Sequence, residues 1–343
     1  MRERFPVLNE SVYLNTAYVG LASVELMEFR ASFDRNYIHQ GDQFKIKGYE
    51  RLASQRETLA TFLGSHPQNT FLTSSFSTGF RFVLDQFPAN TKVLSLLEEY
   101  HSLENALSER GFLTKQLPLS GDIESQIESV LAIESFDVVA FSMVQYTSGV
   151  LFDLEALSRI KKRFPNILFL ADGTQFLGAE AFHFENSPLD VIVGSGYKWL
   201  LAGFGNGLLS IKQSFLDFCA ISIHHFEEKI YAGHFDFLAF ASLIFAVENL
   251  SKNNYTALLK AKEQTTDYLR NKLSDRQLLH PLVISRKKHT SIFNIPGDES
   301  LHQKLFEAGI RASLRGDGIR ISVHHYNTFE DIDRFFEVYD KLL

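Results

Sequence analysis

The chain holds 343 residues, 45% hydrophobic and 22% charged; these ordinary values exclude a disordered or collagen-like chain and suit about two domains, or one large α/β unit with an appendage. Its 34 Lys and Arg against 41 Asp and Glu leave a net charge of −7, which argues against a nucleic-acid partner, since such binders carry a basic face. The single cysteine, Cys219, excludes a disulfide framework and a cysteine-built metal site.

The first residues, MRERFPVLNES, are charged and lead into no apolar run, so no secretory signal is expected. Apolar residues at helical spacing over 50–63 predict a helix, stopped by Gly64. A short strand is predicted over 71–73, and SSFSTGF then opens a helix running to about residue 87. The run KVLSLL (92–97) is of strand length, and 101–110 reads as a helix. Continuous apolar runs over 137–142 and 167–171 predict strands, with a helix over 154–162 between them; 189–193 and 208–211 add two more strands. The run 237–247, FLAFASLIFAV, is about half of the roughly 20 residues a membrane span needs, so a buried helix and a cytoplasmic protein off the membrane are expected. From about residue 236 the character changes. One long helix over 238–273 is predicted, then strands over 290–295 and 319–323 and helices over 301–308 and 331–343.

Strands without clean alternation are buried on both faces, and interleaved helices imply a mostly parallel sheet sandwiched between them. The expectation is an α/β fold with a large domain over 16–235 and a smaller α+β domain from 1–15 and 236–343. In such sheets ligands sit beyond the carboxyl ends of the strands. Asp172 directly follows one strand, Gln175 shares its turn, and Lys198 follows the next strand across the turn GSGY. A loop lysine is ordinarily solvated surface. Lys198, however, lies in apolar sequence, where desolvation would lower its pKa and make its amine nucleophilic toward an aldehyde. The segment 74–79 reads equally well as a Ser/Thr helix cap or as an anion site at a helix N-terminus. Together, an anion site, an amine and an acid meet the three needs of pyridoxal phosphate.

The pieces YLNTAYVG (13–20), SSFSTG (74–79), EYHS (99–102), SMVQYTSGVLFDLEAL (142–157), LADGTQFLG (170–178), SGYKWLLAGFGNG (195–207), YAGH (231–234) and GIRISVHHYNT (318–328) resemble, in order, those of the class V aminotransferases. This family of fold type I pyridoxal-phosphate enzymes includes the cysteine desulfurases. The resemblance implies that Lys198 is the Schiff-base lysine, Asp172 the acid on the pyridinium nitrogen and Gln175 the partner of the phenolic oxygen. It implies Ser77, Ser195 and the Phe76 N–H as phosphate ligands, with Tyr197 where desulfurases have a histidine. Tyr100 falls at the ring-stacking position, with His101 the alternative one residue on. Gln145 and Tyr146 fall against the ring and substrate, Tyr146 reading also as a core aromatic. Arg320 matches the fork for the substrate carboxylate, or else is a surface arginine. His234 matches a residue reaching the phosphate from a partner subunit, so the resemblance implies a homodimer with shared sites, acting on an amino or keto acid.

Departures matter as much. Where a desulfurase carries its catalytic cysteine on a flexible loop, this chain has LRGDGIR. Cys219 lies far off in LDFCAIS and reads as a small buried hydrophobe. Persulfide formation by that route is therefore not expected. The reading is an aminotransferase, with a lyase, an epimerase or a non-catalytic cofactor binder as alternatives. The adjacent histidine pairs 224–225 and 324–325 would face opposite ways in a strand, and no metal is expected.

Overall fold

A computed structural model describes residues 2–342; Met1 and Leu343, the two ends of the predicted terminal segments, lie outside the described residues. Seven strands form the central sheet, in the order Thr70–Thr73, Gly207–Ile211, Val191–Ser195, Leu168–Asp172, Val138–Ser142, Lys92–Leu96 and Leu113–Leu117. Only Gly207–Ile211 runs against its neighbours; the other pairings are parallel. Successive side chains alternate faces, and both faces are covered. Leu94, Val139, Phe141, Phe169, Ala171 and Ile192 enter one apolar cluster. Val93, Val138, Ala140, Leu168, Leu170 and Val193 enter a second on the opposite face. That double burial is why these strands read as unbroken apolar runs. The register sets Ser142 beside Asp172 and Asp172 beside Val193, so the carboxyl ends of three strands come out at one edge.

A three-stranded antiparallel sheet, in the order Ser313–Arg315, Gly318–Ser322 and Ile292–Pro296, builds a separate cluster around Phe293, Ile295, Ile319, Ile321 and Phe335. The amino-terminal segment joins it: Val12–Tyr13 pairs with Ile310–Arg311, and Asn15 bridges to Ser322.

The predicted helix over 238–273 is two helices, Phe237–Lys252 and Tyr255–Asp275. Asn254 between them takes the left-handed conformation (φ +57°) and caps the second helix, its side chain accepting from Ala257 N, a role suited to its short polar side chain. Among the described residues no helix is long and apolar enough to cross a membrane. The apolar run near 240 is the buried face of Phe237–Lys252, which packs on Val24–Gln40 and Asp42–Leu63. Helix Val24–Gln40 and strand Leu113–Leu117 have no counterpart in the sequence reading.

Candidate active site

Strand Leu168–Asp172 ends on a buried carboxylate, and the turn that follows folds back on it. Thr174 N donates to Asp172 Oδ1 at 2.7 Å, and Thr174 Oγ1 accepts from Ser195 N at 3.2 Å. Ser195, at the end of the next strand, accepts from Phe76 N at 2.8 Å. Phe76 opens the helix Phe76–Leu84, which Ser75 caps by accepting from Thr78 N. Ser77 Oγ lies 2.6 Å from Ser102 Oγ. Hydroxyls and a helix N-terminus, with the Phe76 N–H held by Ser195, thus converge at one end of a cavity, an arrangement that favours an anion.

Lys198 lies on the cavity wall, 7% exposed. Its Nζ is 5.7 Å from the Tyr100 ring centre and 5.6 Å from that of Tyr197. Burial pushes the Lys198 pKa down, the positive charge of Arg320 adds to this, and Asp172 opposes it. Burial pushes Asp172 up, against the hydrogen bonds from Thr174 and the nearby lysine. Low dielectric disfavours both charges, so the amine is available as a free base at lower pH than an ordinary lysine. Behind Lys198 the chain turns sharply, with Leu201 at φ +57°, a region costly for a bulky residue. Segment 15–20 presses on this turn: Gly20 N donates to Tyr197 O at 2.9 Å, and a Cβ on Gly20 would sit 1.9 Å from Lys198 O, so only glycine fits.

Phe76, Ser77, Tyr100, Tyr146, Asp172, Gln175, Ser195, Tyr197 and Lys198 all line this cavity. Gln175 does so with both polar ends engaged: Nε2 donates to Ala17 O at 2.9 Å and Oε1 accepts from Trp199 Nε1 at 2.7 Å. Of the two stacking candidates, Tyr100 faces the cavity and packs on Tyr146 at 5.5 Å. His101 starts helix His101–Ser108 and is exposed, outside the lining. Gln145 also differs from expectation. Its side chain is spent on its own loop, donating to Glu98 O and accepting from Thr147 N, Ser148 N and Ser148 Oγ, and it borders a neighbouring cavity. His234 is exposed, paired with Tyr49 at 2.7 Å, and away from the cavity of its own chain.

Arg320 is 2% exposed. Its Nη1 donates to Tyr146 O at 2.6 Å, while Nε is buried without a partner. Burial and the charge of Arg315 lower its pKa to about 10. LRGDGIR is itself a hairpin, its two strands joined by Gly316 and Asp317 alone, a tight turn in place of a long loop bearing a nucleophile. Cys219 ends helix Gln213–Cys219 half-buried, its thiol pushed up to about 12 by burial. Among the described residues no group of His, Cys, Asp and Glu could hold a metal ion.

Glu99 falls inside the piece EYHS (99–102), but the sequence reading gave it no role. It is 4% exposed and accepts from Ser142 N at 2.8 Å and Ser142 Oγ at 2.5 Å. Burial raises its pKa to about 7, the Ser142 hydrogen bonds acting in the opposite sense. Its neighbours in the string LLEEYH suggest two surface acids; the available signal was its position just past a buried strand.

Residues 23–335 match the family model described as aminotransferase class-V. The chain is 21% identical to a probable cysteine desulfurase of Pyrococcus abyssi, over 100% of this chain and 97% of that one. Two solved structures of the enzyme C-DES superpose closely. One, a mutant with glycine covalently linked to its PLP cofactor, gives a TM-score of 0.87 at 17% identity, covering 99% of both chains. The other is the cystine C–S lyase with its reaction product, cysteine persulfide; its TM-score is 0.86 at 18% identity, covering 98% of this chain and 99% of that one. The fold is that of the fold type I enzymes.

Proposed function

Because the chain belongs to the class V aminotransferase family, we propose that it is a pyridoxal-phosphate enzyme acting on an α-amino acid, and that its reaction is transamination. The observation that carries this reading is the buried Lys198, its pKa lowered, within the electrostatic reach of the buried Asp172 and beside a hydroxyl-rich helix N-terminus. The donor set suits the cofactor. Ser77, Ser195 and the Phe76 N–H would hold its phosphate, Tyr100 would cover its ring, Asp172 would hold a proton on its ring nitrogen, and Lys198 would supply the amine for its aldehyde. Bound there, pyridoxal phosphate supplies an electron sink for the bond broken at the substrate Cα.

The chain's own groups do the rest. Arg320, with a buried Nε lacking a partner, would fork onto the substrate α-carboxylate and orient the breaking bond. Lys198, readily neutral, would move the proton between the substrate Cα and the cofactor C4′. Tyr100, its own pKa raised by burial, would leave the lysine as the proton carrier. His234 is proposed to complete the phosphate site of a partner subunit in a homodimer. A C–S lyase reading is favoured by the likeness to C-DES together with the absence of a cysteine from the turn at 316–317.

The test is a half-reaction screen. Amino acids are added singly to the cofactor-loaded protein while absorbance is followed. Transamination converts the cofactor to pyridoxamine phosphate in step with keto-acid release; keto-acid release without that conversion supports the lyase, and no response to any amino acid contradicts both.

A further inference from the structure

The hairpin that carries Arg320 carries a second guanidinium. Ser313 stands opposite Arg320 and Arg315 opposite Gly318. Cross-strand partners and alternate residues share a face, so Arg315 and Arg320 lie on the same side of the hairpin, and Gly318 interposes no side chain. Neither arginine lines the Lys198 cavity itself, but both reach residues that border it or close over it. Arg320 reaches the carbonyl of Tyr146, and Arg315 lies 5.0 Å over the ring of Tyr18, in the segment pressed on Lys198.

Neither arginine forms an ion pair with a carboxylate among the described residues. Arg315 donates to the carbonyl of its neighbour Leu314, and Arg320 keeps its unpartnered Nε. Asp317 at the hairpin tip, with Glu98 and Glu104, borders the outer neighbouring cavity. Burial is the largest influence on Lys198, Tyr100 and Arg320, and the Arg315 charge is felt at all three as a smaller one, directly after burial at Arg320 and opposing the net rise at Tyr100, so it acts across the same space. A phosphate group would be met on the opposite wall, at the Phe76 helix. One α-carboxylate needs one fork; a second unpaired fork is left over.

We propose that Arg315 binds a second anion on the substrate, so that the preferred substrates are α-amino acids with a carboxylate side chain. This rests on the reading of the site given above. A planar fork carried on a rigid hairpin suits such groups better than a lysine would. An amide isostere would leave the guanidinium unpaired and be rejected.

The cofactor-loaded protein is titrated by calorimetry with succinate, glutarate and the monocarboxylate butyrate. At least one dicarboxylate should bind about 10- to 100-fold more tightly than butyrate, as a charge-assisted hydrogen-bonded pair provides. In Arg315→Gln that ratio should collapse to about 2 or less, with cofactor absorbance reporting that the variant is folded; Arg315→Lys should retain part of it. Equal affinities in the unaltered protein, or a ratio that survives Arg315→Gln, overturn the inference. If amino acids change the cofactor spectrum without regard to side-chain charge, this inference fails alone. If no amino acid changes it and no carboxylate binds, the reading of the site fails and the inference falls with it.

Discussion

The indole of Trp199 donates to Gln175 Oε1 at 2.7 Å, and Gln175 Nε2 in turn holds the carbonyl of Ala17 at 2.9 Å. The residue after the candidate lysine therefore fixes the amide beside the candidate acid, and through it the amino-terminal segment that closes over the site. Trp199→Phe keeps most of the packing but leaves a buried amide oxygen without a donor, a loss of about 1–3 kcal/mol. Chemical denaturation should show a lower midpoint, and the cofactor dissociation constant should rise. An unchanged midpoint and constant would remove Trp199 from this role.

Glu99 predicts a pH dependence. Its folded pKa, about 7, lies above the 4.5 of an ordinary glutamate. The folded state therefore holds the proton more tightly than the unfolded state, and the associated stability is complete below about pH 4.5 and lost as pH rises through 7. Glu99→Gln mimics the protonated form. The variant should match the parent at pH 4.5 and exceed it at pH 8 by roughly 3 kcal/mol, at about 1.4 kcal/mol per pKa unit. Parallel stability curves for the two proteins from pH 4.5 to 8 would refute the assignment.

Arg320→Lys keeps the charge but loses the fork. Expected is a fall of about 100-fold in kcat/KM, near 2.7 kcal/mol of transition-state binding, with the cofactor spectrum unchanged. A variant of normal kcat/KM would show that the substrate carboxylate binds elsewhere.

His234 is exposed and does not line the cavity of its own chain, so a shared site makes a complementation prediction. Lys198→Ala and His234→Ala subunits should each have low activity alone. A mixed dimer places one intact Lys198 opposite one intact His234 and should recover about half of the sites by the counting rule of a two-fold interface. No recovery, or an active monomer by sizing chromatography, contradicts the shared site.

The strand ends were legible because two covered sheet faces force uninterrupted apolar runs, and Asp172, Ser195 and Lys198 sit where those runs stop. Other elements hid for physical reasons. Strand Leu113–Leu117 lies at the sheet edge and is largely exposed, so its sequence, LTKQL, lacks an apolar run. Helix Val24–Gln40 fully buries only Leu26 and Phe33 and shows little periodic contrast. The break at Asn254 does carry a signal, the paired asparagines of SKNN with one of them placed to cap the next helix, but the strong apolar run before it and the periodic residues after it mask it. Gln145 was expected against the ring, but its amide satisfies the backbone of its own turn, a demand invisible in one dimension. Glu99 and Arg315 look like surface charges in the sequence, and their burial or orientation comes from the tertiary structure.

The central claim is that the Lys198 amine binds the aldehyde of pyridoxal phosphate. Borohydride reduction of the cofactor-loaded protein, followed by peptide mapping, tests it directly. The account predicts a single reduced adduct on the peptide containing Lys198 and none in Lys198→Ala. An adduct on another lysine, or none on the unaltered protein, would contradict it.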